Sequence, residues 1–275
     1  MFANACQNAC DFCRNGVPLR FTVDQVKEGM DAVVSELGGS KEKVNLHYMC
    51  DPNAFAPANR DHTSECMEII EAGLGHTPWR IVFYDSALFV EPGKVIEDTS
   101  KWGIRQYGIG RETATAHAAS FLGEKCCGVV KSQDMLDAER KGIEDVVKRV
   151  KNSNMKFVFE ISYIISPNDT AETLRKTFEE MDYFASMADS KTIMAIKFAM
   201  LSPLPGTRIL TQHTDLIHED TYAASGSYER WDERAIKTAF PNSVYPQLKQ
   251  SRLFNDYSDT WNYRSNFLEA VRKLK

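Results

Sequence analysis

The chain lacks any apolar run near the roughly 20 residues that a helix needs to cross a bilayer. Its first residues, from Met1 to Ala5, also lack the apolar core of a secretory signal peptide. Both absences predict a cytoplasmic protein without a membrane partner. Since the cytoplasm keeps thiols reduced, we expect the seven cysteines to serve metal binding, catalysis or packing rather than disulfide bonds.

Positive charge is not in excess either. The 33 lysines and arginines are outnumbered by 38 aspartates and glutamates, and the formal net charge at pH 7 is −5. Proteins that bind mainly nucleic acid usually carry a large basic surface, so a nucleic-acid partner is not indicated. The hydrophobic fraction of 43% and the charged fraction of 26% are typical of a globular protein.

No stretch of proline, glycine and serine is long enough to divide the 275 residues. Strand and helix patterns alternate as far as about residue 210, and the rest is polar and rich in aromatic residues. We therefore predict an α/β region over residues 1–210 and a C-terminal extension over 211–275 that packs on it as a cap. A last helix is predicted at 261–274.

Hydrophobic periodicity predicts the individual elements. Capping-box spacing marks two helix starts, Thr22 with Gln25 and Asp169 with Glu172. Because helices separate the strands, we expect βαβ units and a parallel sheet, with a possible sixth strand in the first few residues. The predicted helices are 22–37, 64–72, 134–151 and 169–187, and the predicted strands are 44–49, 80–84, 104–109, 157–165 and 193–201.

Three of the seven cysteines stand close together near the start. Cys6, Cys10 and Cys13 have the spacing C-x3-C-x2-C. Three thiolates on one short loop can ligate three irons of a four-iron cluster and leave the fourth iron open for a ligand. The spacing leaves open a partial zinc site completed by a distant histidine or cysteine, and also a chance grouping. A four-cysteine zinc ribbon is disfavoured, because no later C-x2-C pair follows.

These three cysteines, with Phe12 just before the third, resemble the signature of the radical S-adenosylmethionine (radical SAM) superfamily. Over about residues 1–210, motifs at the ends of predicted strands resemble those of its elongator-like and cobalamin-associated core subgroup. The motifs are the Asp51-Pro52 turn after 46–50, the run from Tyr107 to Glu112, the run from Ile164 to Leu174, and Leu201-Ser-Pro-Leu-Pro-Gly-Thr207.

The resemblance implies an α/β fold, a partial open (β/α)6 TIM-type barrel whose site lies at the carboxyl ends of the strands. It implies a [4Fe-4S] cluster held by Cys6, Cys10 and Cys13, with S-adenosyl-L-methionine as the second cofactor. It also implies reductive cleavage of that cofactor to a radical that removes hydrogen from an unidentified substrate. An electron-donor protein such as flavodoxin or ferredoxin is the expected partner.

The resemblance also assigns cofactor contacts to Phe12, Asp51, Arg111, Ile164, Ser166 and Leu204. On this assignment Asp51 accepts from the methionine ammonium, Arg111 binds the methionine carboxylate, and Ile164 and Leu204 flank the adenine. The alternatives are a turn aspartate, a solvated surface arginine and ordinary packing of strand residues.

Several residues depart from the subgroup. Gly110 stands where the subgroup has glutamate, Arg111 where it has serine, and Ser166 and Asn168 replace glycines. The chain offers no room before Cys6 for a cobalamin domain. The departures leave open a rival function, in which a non-catalytic iron–sulfur or zinc-binding barrel serves as a scaffold or partner subunit.

Overall fold

The computed structural model describes residues 10–13, 21–49, 53–82, 91–124, 129–153, 155–201, 203, 206–217 and 231–250. Within these ranges, five strands form one parallel sheet whose spatial order equals their order in the chain. They are β1 (Leu46–Met49), β2 (Trp79–Val82), β3 (Ile104–Glu112), β4 (Phe157–Ile165) and β5 (Thr192–Met200). The predicted sixth strand and the predicted helix at 261–274 lie outside the described residues.

Helices separate the strands and follow the last one, as the alternation predicts. Among the described helices, none is both long and apolar enough to cross a membrane. They are α1 (Val23–Leu37), α2 (Arg60–Leu74), α3 (Pro92–Lys101), α4 (Ala116–Leu122), α5 (Gln133–Asn152), α6 (Ala171–Ser186), α7 (Arg208–Gln212), α8 (Glu233–Ala239) and α9 (Tyr245–Gln250), with 3₁₀ turns at Gly38–Lys43 and Thr214–Leu216.

The two faces of the sheet differ in burial. One row across all five strands is fully or almost fully buried, and it consists of Met49, Val82, Tyr107, Phe159 and Met194. Side chains alternate between faces along a strand, so the neighbouring row belongs to the other face. That row holds Gln106, Val158 and Ile193, which are half-buried or exposed. We call this less buried side the second face.

Predicted elements and observed elements agree closely where periodicity is strong. Helix α1 begins after the Thr22–Gln25 capping box, with both reciprocal hydrogen bonds formed, and β4 spans the predicted residues 157–165. The second predicted capping box is wrong: α6 is capped by Thr170 with Thr173. The carboxylate of Asp169 instead accepts bonds from the Ser166 amide at 2.8 Å and the Thr173 hydroxyl at 2.7 Å.

The described part of the C-terminal extension contacts the carboxyl ends of two strands. Trp231 Nε1 and the Tyr245 hydroxyl both donate to the Leu201 carbonyl oxygen at 2.8 Å, just beyond β5. Ser243 Oγ donates to the Pro167 carbonyl oxygen at 2.5 Å, just beyond β4. These bonds hold residues 231–245 against the carboxyl ends of the strands, where the predicted site lies. The division at 210/211 stays a prediction, and it falls inside α7.

Strand β1 carries a histidine whose neutral form the fold requires. Arg80 Nε donates to His47 Nδ1 at 3.3 Å, and Arg80 Nη1 donates to Glu71 Oε1 at 2.9 Å and to the Trp102 carbonyl oxygen at 2.6 Å. Burial, followed by the charge of Arg80, lowers the pKa of His47 to about 4. The unfolded chain therefore binds a proton at a higher pH than the folded chain does.

This linkage predicts a pH dependence of stability. Neutral His47 contributes at most about 3 kcal/mol to the free energy of unfolding. This contribution is fully present above about pH 6.5 and is lost as the pH falls through about 4. In chemical unfolding between pH 7 and pH 4, His47→Gln should reduce the slope of the free energy of unfolding against pH. Val33→Ala on the exposed face of α1 removes no ionisable group, and this control should keep the wild-type slope. Equal slopes for wild type and His47→Gln would contradict the assignment.

Candidate functional site

Two of the three predicted cluster ligands lie at the ends of one tight turn. The Cys13 amide donates to the Cys10 carbonyl oxygen at 3.1 Å, and both cysteines are half-buried. Cys6, the third predicted ligand, lies outside the described residues. In the described ranges, no three or more His, Cys, Asp or Glu side chains are grouped for a metal ion. The complete ligand set therefore stays a prediction.

Asp11, inside this turn, anchors it to two distant parts of the chain. Its side chain is 3% exposed, and Oδ2 accepts from the Glu124 amide at 2.9 Å, just after α4. Oδ1 pairs with Arg208 Nε at 2.9 Å, at the start of α7. The backbone adds two bonds, from the Asp11 amide to the Glu124 carbonyl oxygen at 3.0 Å and from the Ile209 amide to the Asp11 carbonyl oxygen at 2.9 Å. The turn is thus held on both sides.

Gly123 makes room for this anchor. Its φ is +74° with ψ −153°, a backbone region used almost only by glycine. A Cβ at this position would overlap Asp11 Oδ2 and lie 3.0 Å from the Asp11 Cβ and Cγ atoms. Position 123 therefore requires glycine for two reasons, the conformation of the backbone and the close approach of Asp11.

Two predicted cofactor contacts, Phe12 and Arg111, line the same cavity beside the cysteine turn. The cavity is small, with a volume of about 10 Å³, and Glu112, Leu122, Gly123 and Lys131 are also on its wall. Phe12 and Arg111 are distant in the chain, and the fold brings them together where β3 and α4 end. This shared cavity is the strongest structural feature that two sequence-predicted residues have in common.

Arg111 is fully buried, which excludes the alternative of a solvated surface arginine. Its Nε and Nη2 atoms donate to both carboxylate oxygens of Glu180 at 2.9 and 3.0 Å, and Nη1 donates to Glu139 Oε2 at 3.0 Å. The Tyr163 hydroxyl also donates to Glu180 Oε1 at 2.9 Å. Burial lowers the pKa of Arg111, but the bonds and charge of Glu180 outweigh burial and raise it. The guanidinium is charged and held in place.

Lys131 shares a carboxylate partner with Arg111. Lys131 Nζ pairs with Glu139 Oε1 at 2.5 Å, so Glu139 bridges the lysine and the arginine. The buried residue Glu112 lies on the wall of the same cavity. The Glu139 side chain is 15% exposed and the Glu180 side chain 5%, so Glu139 is the partner that an incoming anion can replace at lower cost. Binding of a methionine carboxylate by Arg111 stays a prediction, and it requires Glu139 to give way.

The remaining predicted contacts differ in what surrounds them. Ile164 is half-buried and lies on the second face, in register with Ala199. Ser166 is fully buried, and its amide and hydroxyl lie 2.8 and 3.0 Å from Asp169 Oδ2, so these polar groups already have partners within the turn. Burial raises the pKa of Asp169 against these bonds. Asp51 and Leu204 lie outside the described residues.

Sequence reasoning missed Asp11, Gly123, Lys131 and Glu139. Only Asp11 carried a signal, because a carboxylate between two proposed cluster ligands adds a negative charge that needs a partner. The other three come from separate segments, and their roles depend on contacts that no local pattern records.

Comparison with known proteins finds no match, either among models of protein families or among curated protein sequences.

Because Asp11 closely approaches Gly123, a methyl group added at position 123 should strongly destabilise the fold. Gly123→Ala should lower the free energy of unfolding by about 3 kcal/mol or more, because backbone strain adds to the displacement of Asp11. Gly75→Ala is the control: Gly75 also has positive φ, at +80°, but a Cβ there would meet nothing within 4 Å. Its cost should be about 1 kcal/mol.

A double-mutant cycle separates the two causes at Gly123. Asp11→Ala removes the overlapping carboxylate, so the double variant should be more stable than the sum of the single changes predicts. Additive costs in urea unfolding would show that Asp11 does not set the requirement for glycine.

Proposed function

We propose that this chain is a radical SAM enzyme, with a partial open (β/α)6 barrel that extends the described five-stranded sheet. The observation that carries the proposal is the Cys10–Cys13 turn, which Asp11 anchors beside a cavity lined by Phe12, Arg111 and Lys131. Thiolates are the ligands that iron–sulfur clusters use, and a fixed loop presents them without a further ordering cost.

Cys6, Cys10 and Cys13 would hold a [4Fe-4S] cluster, and S-adenosyl-L-methionine would bind next to it. When bound and reduced, this pair supplies a 5′-deoxyadenosyl radical that removes a hydrogen atom from the substrate. Asp11 keeps two of the three thiolates at a constant separation, and Arg208 neutralises the Asp11 charge, so that a buried carboxylate does not oppose an anionic cluster. Phe12 shields the cavity side of the turn from water.

The carboxylate of a bound cofactor would take the place of Glu139 beside this cavity. Lys131 and Arg111 both pair with Glu139, and a carboxylate that replaces it would leave the net charge around the two cations unchanged. Glu180 stays paired with Arg111 through two bonds and keeps the guanidinium plane fixed. In this proposal Arg111 and Lys131 bind and orient the cofactor, and an electron-donor protein such as flavodoxin or ferredoxin supplies the electron.

Anaerobic reconstitution with iron and sulfide tests the cluster. The wild-type chain should gain four irons and four sulfides with blue-violet absorbance, and it should form 5′-deoxyadenosine from S-adenosyl-L-methionine with dithionite. Cys10→Ala and Cys13→Ala should each abolish both signals. Cys66→Ala is the control, because Cys66 is fully buried on α2 and is not part of the C-x3-C-x2-C motif.

Three results would contradict the proposal. One zinc ion per chain without cofactor cleavage would favour the zinc-binding scaffold. A cluster without measurable affinity for S-adenosyl-L-methionine would favour the non-catalytic partner subunit. Turnover that survives Cys10→Ala would show that the cysteine turn is not the site.

The cavity predicts a binding defect that leaves the cluster intact. Lys131→Met should weaken S-adenosyl-L-methionine binding to the reconstituted protein at least tenfold in equilibrium dialysis, which equals about 1.4 kcal/mol. Iron content should not change. Lys176→Met is the control, since Lys176 is an exposed α6 lysine paired with Glu172. Equal affinity for wild type and Lys131→Met would remove this lysine from the site.

A further inference from the structure

Small residues surround a polar cluster on the second face of the sheet. The register places Gly108, Glu160 and Ala195 side by side on β3, β4 and β5, and Gly110, Ser162 and Lys197 in the next row on the same face. Glycine and alanine add little bulk, so Glu160 and Lys197 carry the longer side chains in this part of the second face. We call Gln106, Glu160, Ser162 and Lys197 the second-face cluster.

The two charged side chains of this cluster differ in their exposure to solvent. Glu160 Oε1 pairs with Lys197 Nζ at 2.8 Å, and Gln106 Nε2 donates to Glu160 Oε2 at 3.2 Å, so both carboxylate oxygens are engaged. The Glu160 side chain is 11% exposed and the Lys197 side chain 48%. A lysine ammonium has three N–H donors and Glu160 takes one. The side that faces outward is therefore the cationic donor.

Stability alone does not explain this arrangement. Parallel sheets usually cover both faces with apolar packing, and a half-exposed ion pair contributes only about 0–1 kcal/mol. Burying most of Glu160 has a desolvation cost that apolar residues would avoid. Ser162 and Lys197 also lie in the carboxyl-terminal halves of β4 and β5, and ligands of parallel α/β proteins bind at that end of the strands.

We propose that the second-face cluster is an oxyanion site, which binds a carboxylate or phosphate group of the substrate. Lys197 supplies the ammonium, Ser162 supplies a hydroxyl from the register position beside it, and Glu160 is a positioning residue that holds the lysine in place. A cationic ligand is disfavoured, because it would have to compete with the Lys197 ammonium for Glu160.

The identification of the ligand as a substrate rests on the proposed function, but the oxyanion site itself does not. Ile164, two residues after Ser162 on the same strand face, is the predicted adenine contact. In the radical SAM proposal, a cofactor that crosses the carboxyl ends of the strands from Arg111 to Ile164 would bring its adenosine next to a substrate held by this site. An alternative protein function would leave the same site available for another anionic ligand.

The test uses the full chain with ¹³C-labelled lysine and follows the Cε resonances of Lys197 by NMR, assigned with Lys197→Arg. Inorganic phosphate and acetate are titrated separately at constant ionic strength held by sodium chloride. At least one of them should shift the Lys197 resonance saturably. The anion that binds at least tenfold more tightly identifies the substrate group as phosphate or carboxylate.

Variants decide whether the cluster acts as a site. In the variants, anion binding is measured from the saturable shift of the neighbouring Ala195 amide. The saturable shift should disappear in Lys197→Met and persist in Lys197→Arg and in the control Lys176→Met. In Ser162→Ala the anion affinity should fall at least threefold. The proposal would be overturned if saturation persisted in every variant, or if the wild-type shift grew linearly with both anions. Circular dichroism spectra must match wild type for each variant used.

The same titration on Cys10→Ala separates the two proposals. Oxyanion binding that persists in Cys10→Ala supports the site whether or not a cluster forms. Reconstituted wild type that forms the cluster but binds neither anion keeps the proposed function and overturns the oxyanion site.

Discussion

The buried carboxylate of Asp11 is the constraint on which the candidate site depends. It joins the cysteine turn to the end of α4 through Glu124 and to the start of α7 through Arg208. A carboxylate this buried needs both partners, because desolvating an unpaired charge costs several kcal/mol. The same carboxylate requires glycine at position 123, because any side chain there would occupy its space. The position of Phe12, and with it one wall of the cavity, follows from the same anchor.

The two faces of the sheet carry different charge arrangements. On the helix-covered face, Arg111 and Lys131 are already paired with Glu139 and Glu180, so an added anion can bind there only by replacing one of these carboxylates. On the second face, Glu160 is covered and Lys197 is half exposed, so the ammonium can accept an added anion without losing its partner. Alternation along β3, with Gly110 on one side and Arg111 on the other, separates these two groups by the thickness of one backbone.

The elements that sequence reasoning located well are long and strongly periodic, such as α1 with its capping box and the β-branched strand β4. It missed α3, α4, α7, α8 and α9, which have five to ten residues and offer too few turns for a helical stripe to repeat. It misplaced the cap of α6, because Asp169 and Thr170 both suit the position and only the turn at Ser166 decides between them. For the site, the Cys10–Cys13 spacing could be read from the sequence, and the family resemblance assigned Phe12 and Arg111 to one cofactor. The partners of Arg111 could not be read from either.

What the sequence determined by itself is local: the alternation of strands and helices, the parallel sheet that this alternation requires, and two cysteines close enough in the chain to share one turn. Each of these follows from periodicity or spacing over fewer than about 20 residues. Only the tertiary structure decided that Asp11 meets Gly123, that Arg111 faces helices rather than solvent, and that Glu160 lies between Gln106 and Lys197. These contacts depend on strand register and helix packing, which join residues that are distant in the chain.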